Sequence, residues 1–231
     1  MRDKDIINTL KHVESKRQEL LTLMFDSRMK NIPIDNIANL VADVLNNLTK
    51  CFDYAARDIY DIFIVSNPKK NKLKIYFPFY KNQLMDKNNP FYVLIIQKKD
   101  LYDYLYEIAE KSDNKELISN TSIQYSLARE VRELVNADKH NKIIEIDNEG
   151  PSELLAKSGL GNIVLKESNP NSDNWKVNLF PNQQKVQKTS KAYRLVENNK
   201  EVADFCTFAQ WNAEQILYSI YQKYFGLKIK Q

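Results

Sequence analysis

From Ile37 to Phe63 apolar side chains recur every third or fourth residue: Ile37, Leu40, Val41, Val44, Leu45, Leu48, Phe52, Ala55, Ile59, Ile62 and Phe63. Only an α-helix of about 3.6 residues per turn gathers such a series onto one face, and a stripe of this length has to be covered by other elements. The pattern predicts a long helix beginning after Pro33, with Asp35 as its N-cap. It ends at Asn67-Pro68, because proline disfavours helical geometry in the residue before it. A chain organised around such a helix folds as a bundle.

Weaker periodic segments supply the partners. Residues 3 to 30 place Ile6, Leu10, Val13, Leu20, Leu21 and Met24 at helical spacing, and Leu101, Leu105 and Ile108 line one side of a helix over 101–111. A further helix begins after Asn120 or Thr121 and runs through Leu127, Val131, Leu134 and Val135 towards His140. A last one spans 202–225 with Phe205, Phe208, Ala209, Ala213, Ile216, Ile220 and Tyr224 on its apolar face. Between these lie short β-type runs. Lys72–Pro78 alternates polar and apolar residues as an edge strand would, and Phe91–Gln97 suits a strand or a helix start. Ile143–Ile146, Ile163–Leu165, Trp175–Leu179 and Tyr193–Val196, separated by Asn, Pro and Ser, predict an antiparallel sheet of three to four strands. The expected fold is mainly α (α+β): one domain over 1–231, a helical bundle with a small antiparallel β insertion before the C-terminal helix. Its helical core comprises 3–67, 100–141 and 202–225, with β-rich excursions at 72–97 and 142–198.

Composition excludes several classes of function. Gly150, Gly159, Gly161 and Gly226 are the only glycines, so neither a GxxxxGK[ST] phosphate loop nor a GxGxxG dinucleotide fingerprint exists. Asp, Glu and His do not cluster at metal-ligand spacing, and no metal or cofactor is expected. Cys51 and Cys206 lack CxxC spacing and read as reduced core residues. The longest apolar run, Phe91–Ile96, is far shorter than the roughly 20 residues of a membrane span. With no signal-peptide pattern at the N-terminus, a cytoplasmic protein without membrane partners is expected. A net charge of +4 is compatible with a polyanionic partner without demanding one.

Within the helix approaching His140, Arg129, Arg132, Asn136 and His140 fall on one polar face while Leu127, Val131, Leu134 and Val135 turn inward. That combination suits cleavage of a phosphodiester through the ribose 2′-OH. His140 titrates near neutrality and moves the proton, and Arg132 neutralises charge on the phosphorane. Asn136 orients the phosphate or the histidine, and Arg129 and Lys139 bind phosphate. A single histidine in the stripe makes a two-fold dimer chemically sensible. Asp138, Asp53 and Arg57 are candidate supporting residues, the last two an i, i+4 pair that would face the stripe across the bundle. The competing reading is structural: Lys139 and His140 favour a helix C-terminus by about 0.3–1 kcal/mol, and an Arg/Asn stripe also suits a solvated face.

Arg132, Asn136 and His140 on one helix of a mostly helical chain resemble the HEPN superfamily. That resemblance implies a metal-independent RNase of a toxin–antitoxin, abortive-infection or CRISPR-associated system, acting as a dimer and often with an antitoxin or other protein partner. Members carry an Arg…His motif, commonly with Asn after the arginine; here Glu133 follows Arg132. A wider resemblance is to a group of bacterial proteins of unassigned activity with an Asp-Lys-His-Arg-type motif. Its basis is Asp53-Tyr-Ala-Ala56, Tyr76-Phe-Pro78 and Leu134-Val-Asn-Ala-Asp-Lys-His140, followed by strands and a final helix, with Asn141 after the histidine. Tyr76, Phe77, Phe79, Tyr80, Phe91 and Tyr92, near Lys69, Lys70, Lys72, Lys74 and Lys81, suit either core packing or a surface that stacks bases of single-stranded RNA. Two functions from different classes follow: an endoribonuclease, or a non-catalytic helical protein-interaction module.

Overall fold

The stripe that begins at Ile37 is the axis of the molecule. In the computed structural model, which describes residues 1–29, 34–65, 73–113, 123–139, 193–196 and 200–227, with strand backbone at 146–147, 151–153, 157–158, 161–167, 175–180 and 187–191, it forms α2 (Ile34–Ile59). Val41, Val44, Leu45, Leu48, Cys51, Ala55 and Ile59 of this helix are fully buried. The helix begins at Ile34, one residue before the Asp35 expected as its N-cap. At its other end the helix widens into one π turn, Tyr60–Ile64, and Val65 is extended.

Six further helices are described: α1 (Asp3–Met29), α3 (Lys81–Met85), α4 (Leu94–Gln97), α5 (Lys99–Asp113), α6 (Tyr125–Lys139) and α7 (Val202–Phe225). α1 runs antiparallel to α2, with Arg2 meeting Asp58 and His12 meeting Asp43. α7 closes the bundle: Gln210 accepts from Arg17 of α1 at 2.8 Å, and Tyr221 reaches Asp58 of α2. Gly226, left-handed at φ 67°, ends α7 where a side chain would be strained. None of the described helices is long and apolar enough to cross a membrane.

Most buried polar groups on these faces are satisfied, as a low-dielectric interior requires, the Thr49 hydroxyl of α2 being an exception without a hydrogen-bond partner. Asp58 is only 1% exposed, and its carboxylate accepts from the Arg2 backbone N–H (2.6 Å), the Arg2 guanidinium (2.8 Å) and the Tyr221 hydroxyl (2.7 Å). Burial and then this bond to Asp58 push the Tyr221 hydroxyl far above its ordinary range, so it remains a donor. Asn212 of α7 accepts from the Gln124 N–H, capping the entry to α6, while its own amide donates to the Phe208 carbonyl at 2.8 Å.

The expected β excursion at 72–97 does not form among its described residues. Residues 73–79 belong to no helix or strand, the Phe79 N–H turning back to the Phe77 carbonyl at 3.1 Å, and Pro90–Val93 is a 3-10 turn that continues into α4. The alternation is nevertheless obeyed: Ile75, Phe77 and Phe79 are buried, and the two phenylalanine rings pack edge-on against Phe52 with centroids 5.1 Å away. Side chains of α2 replace the missing strand. Asp53 accepts the Phe77 N–H at 3.3 Å, and Arg57 donates to the Leu73 carbonyl at 2.9 Å. Pro78, without an N–H, needs no partner there. Pro90 at the start of the 3-10 turn and Asn89, which accepts the Phe91 N–H, start a helix where the apolar run alone allowed a strand.

The described strands between α6 and α7 pair antiparallel. β1 (Ile146–Asp147) pairs with β7 (Arg194–Leu195), β2 (Pro151–Glu153) with β6 (Gln187–Lys191), and β3 (Lys157–Ser158), β4 (Gly161–Glu167) and β5 (Trp175–Phe180) form one three-stranded sheet. β4 and β5 register from Asn162 against Phe180 to Glu167 against Trp175. The strands are distributed over three small sheets rather than one. Tyr193 and Leu195 are buried in the helical core, so the short β1–β7 ladder is the neck through which the chain re-enters the bundle.

Candidate functional site

α6 is amphipathic: Leu127, Ala128, Val131, Leu134 and Val135 are buried, leaving Arg129, Arg132, Glu133 and Asn136 on the other side. Arg132 is 11% exposed. Its guanidinium donates to Asp53 at 3.0 Å and lies 5.0 Å over the Tyr76 ring. Asp53 thus divides its oxygens, one to Arg132 of α6 and the other to the Phe77 N–H, and joins three separate stretches of chain. Arg57, one turn on, pairs with Asp61 at 2.9 Å and not with Asp53. It faces the 73–77 segment rather than α6.

Arg129 is the centre of a second cluster. It bonds Glu133 at 2.9 Å, also contacts Asp113 of α5, and lies 4.4 Å over the Tyr80 ring. The Tyr80 hydroxyl donates to Glu133 at 3.0 Å. Burial and that bond push the hydroxyl above its ordinary range, which keeps it a donor. The two arginines thus meet three carboxylates, Asp53, Asp113 and Glu133, so neither offers an uncompensated charge.

Asn136 is exposed one turn beyond Arg132. Asp138 and Lys139 form the end of α6, and His140 lies outside the described residues. Of the lysines near the aromatic run, Lys69, Lys70 and Lys72 also lie outside them. Lys74 is exposed, and Lys81 bonds Glu110 at 3.3 Å. The aromatic run itself divides: Phe77, Phe79 and Phe91 belong to the core, whereas Tyr76 is 52% exposed and Tyr80 half-buried. Core packing therefore accounts for the three phenylalanines and not for the exposed Tyr76.

Sequence reading missed Tyr76, Glu133 and Asp113 as partners of the arginines, because only tertiary contact brings Asp113 and Tyr76 to α6. His12 meets Asp43 at 3.3 Å, and a polar cavity of about 360 Å³ between α1 and α2 is lined by His12, Asn8, Asn47, Lys50 and Tyr54 among others. The pairing of positions 12 and 43 follows from the antiparallel hairpin, which local periodicity does not specify. Among the described residues no three His, Cys, Asp or Glu side chains gather as a metal site would need. No family model, curated protein or solved structure matches the chain.

Proposed function

We propose that the chain is a HEPN-like protein that cleaves RNA without a metal, at the end of α6, in a bacterial defence or toxin–antitoxin setting. In this reading His140 is the acid/base, Arg132 binds the phosphate and neutralises the phosphorane, and Asn136 orients the substrate. Arg129 and Lys139 draw the polyanion, and a homodimer supplies a second histidine. The observation that supports it best is the fixing of Arg132: a carboxylate on one side and an aromatic face on the other hold its guanidinium one turn from exposed Asn136. A guanidinium held in place loses little freedom when a phosphate arrives.

One observation favours a second reading, a non-catalytic protein-interaction module: both arginines are already balanced by carboxylates, as in a face built for stability. Induced expression in bacteria separates the two, with wild type beside His140→Ala and total RNA resolved on a gel. RNA fragmentation and growth arrest that disappear in a folded His140→Ala protein support the nuclease. Intact RNA and equal growth for both, in cells that also carry any neighbouring activator, overturn it in favour of the interaction module.

A further inference from the structure

Resting on the RNA-directed reading above, we propose that the cavity beside Tyr76 is a subsite for one pyrimidine base of single-stranded RNA. The cavity measures about 140 Å³ and is lined by Lys74, Tyr76, Pro78, Gln83, Pro90 and Phe91, with Ile75 and Asn89 completing it. A protein cavity of about 150 Å³ takes one benzene ring. The space therefore matches a six-membered pyrimidine more closely than a fused purine. Its walls suit such a ring: Tyr76 is half-exposed and offers a stacking surface, while Pro78 and Phe91 are buried and apolar. Exposed Gln83 presents an amide that both donates and accepts, as the edge of uracil or cytosine requires, and exposed Lys74 supplies a charge for the backbone.

Tyr76 ties this cavity to the arginine. The same ring that lines it carries the Arg132 guanidinium at 5.0 Å, so a base seated in the cavity brings its adjoining phosphate towards Arg132. The neighbouring tyrosines are engaged otherwise: Tyr80 lies beneath Arg129 with its hydroxyl on Glu133, and Tyr106 has Lys81 over its ring at 5.9 Å. The cavity is also built on fixed backbone. Asp53 and Arg57 hold the 73–77 segment from α2, and Asn89 caps the 3-10 turn that carries Phe91. Walls held in this way need little reordering when a base enters.

The test uses the full chain carrying His140→Ala, so that probes are not consumed. Fluorescence anisotropy measures its affinity for labelled oligouridylate, oligocytidylate and oligoadenylate of about ten nucleotides. The pyrimidine oligomers are expected to bind about tenfold more tightly, within the contribution of one base stacked on an aromatic side chain. Tyr76→Phe keeps that preference. Tyr76→Ala abolishes it, and so does Gln83→Trp, which fills the cavity while leaving Tyr76 and Arg132 in place and thus covers a Tyr76→Ala protein that fails to fold. Equal affinity for all three oligomers, or a preference that survives Gln83→Trp, overturns the subsite, and so does absence of binding to any of them. The nuclease reading is judged separately by RNA fragmentation in cells with the His140 protein: cleavage without base preference removes the subsite alone.

Discussion

Removing the Asp53 carboxylate with Asp53→Ala takes away two contacts at once: the partner of Arg132 at 3.0 Å and the acceptor of the Phe77 N–H at 3.3 Å. Breaking a buried ion pair by deleting one member costs about 3–5 kcal/mol, whereas an exposed pair contributes about 0–1. Arg132 and Asp53 are 11% and 24% exposed, which places them between those limits. Arg132 also retains the Tyr76 ring, so about 2 kcal/mol is expected for the pair. The long bond to the Phe77 N–H adds about 0.5–1 kcal/mol. In a domain of this size each kcal/mol lowers the melting temperature by about 2–4 °C, giving a loss of about 5–10 °C for Asp53→Ala. Asp53→Asn keeps an oxygen for the Phe77 N–H and loses about 1 kcal/mol less. Urea denaturation of Asp53→Ala, Arg132→Met and the double variant completes a cycle whose coupling is expected at about 1–2 kcal/mol. A coupling near zero, or Asn behaving as Ala does, refutes the assignment of Asp53 as the joint between α2, α6 and the 73–79 segment.

Two further outcomes follow from shifted ionisations. Hydrogen bonds from Gln18 and then Arg17 lower the Glu14 carboxyl to about 2. A carboxyl depressed in the folded state stabilises it above the unfolded pKa, here near 4.5, and that contribution is lost as pH falls from about 4.5 towards about 2. Because the Glu14 side chain is 43% exposed, solvent screening reduces the effect to roughly 1 kcal/mol. Glu14→Gln should therefore flatten the acid limb of the stability profile in that window, and an unchanged limb contradicts it. Burial pushes the thiols of Cys51 and Cys206 up to about 12. Neither should react with an aromatic disulfide reagent at neutral pH until the protein is unfolded in urea, when both react; stoichiometric labelling of the native protein contradicts their place in the core.

Local periodicity made the helices legible because a helix displays its buried face every three to four residues whatever it packs against. α2, α5, α6 and α7 stand close to where their apolar stripes put them, and Ile37, Val44, Leu105, Val131 and Ile216 are all buried as those stripes require. The same alternation that buried Ile75, Phe77 and Phe79 suggested a strand, and there it misled. Alternation reports which side chains face inward, and it does not report whether a second strand is present to take the backbone hydrogen bonds. In this protein Asp53 and Arg57 take them instead.

The candidate site divides along the same line. That Arg129, Arg132 and Asn136 share a face of one helix follows from about 3.6 residues per turn and nothing else. That Arg132 is tied to Asp53, 79 residues earlier in the chain, and laid on Tyr76 was decided only when α2, α6 and the 73–79 segment packed together. So was the conversion of Arg129 from a free cation into the partner of Asp113 and Glu133. Spacing along a chain determines direction around a helix, but charge balance depends on neighbours brought in from elsewhere, and those belong to the tertiary structure alone.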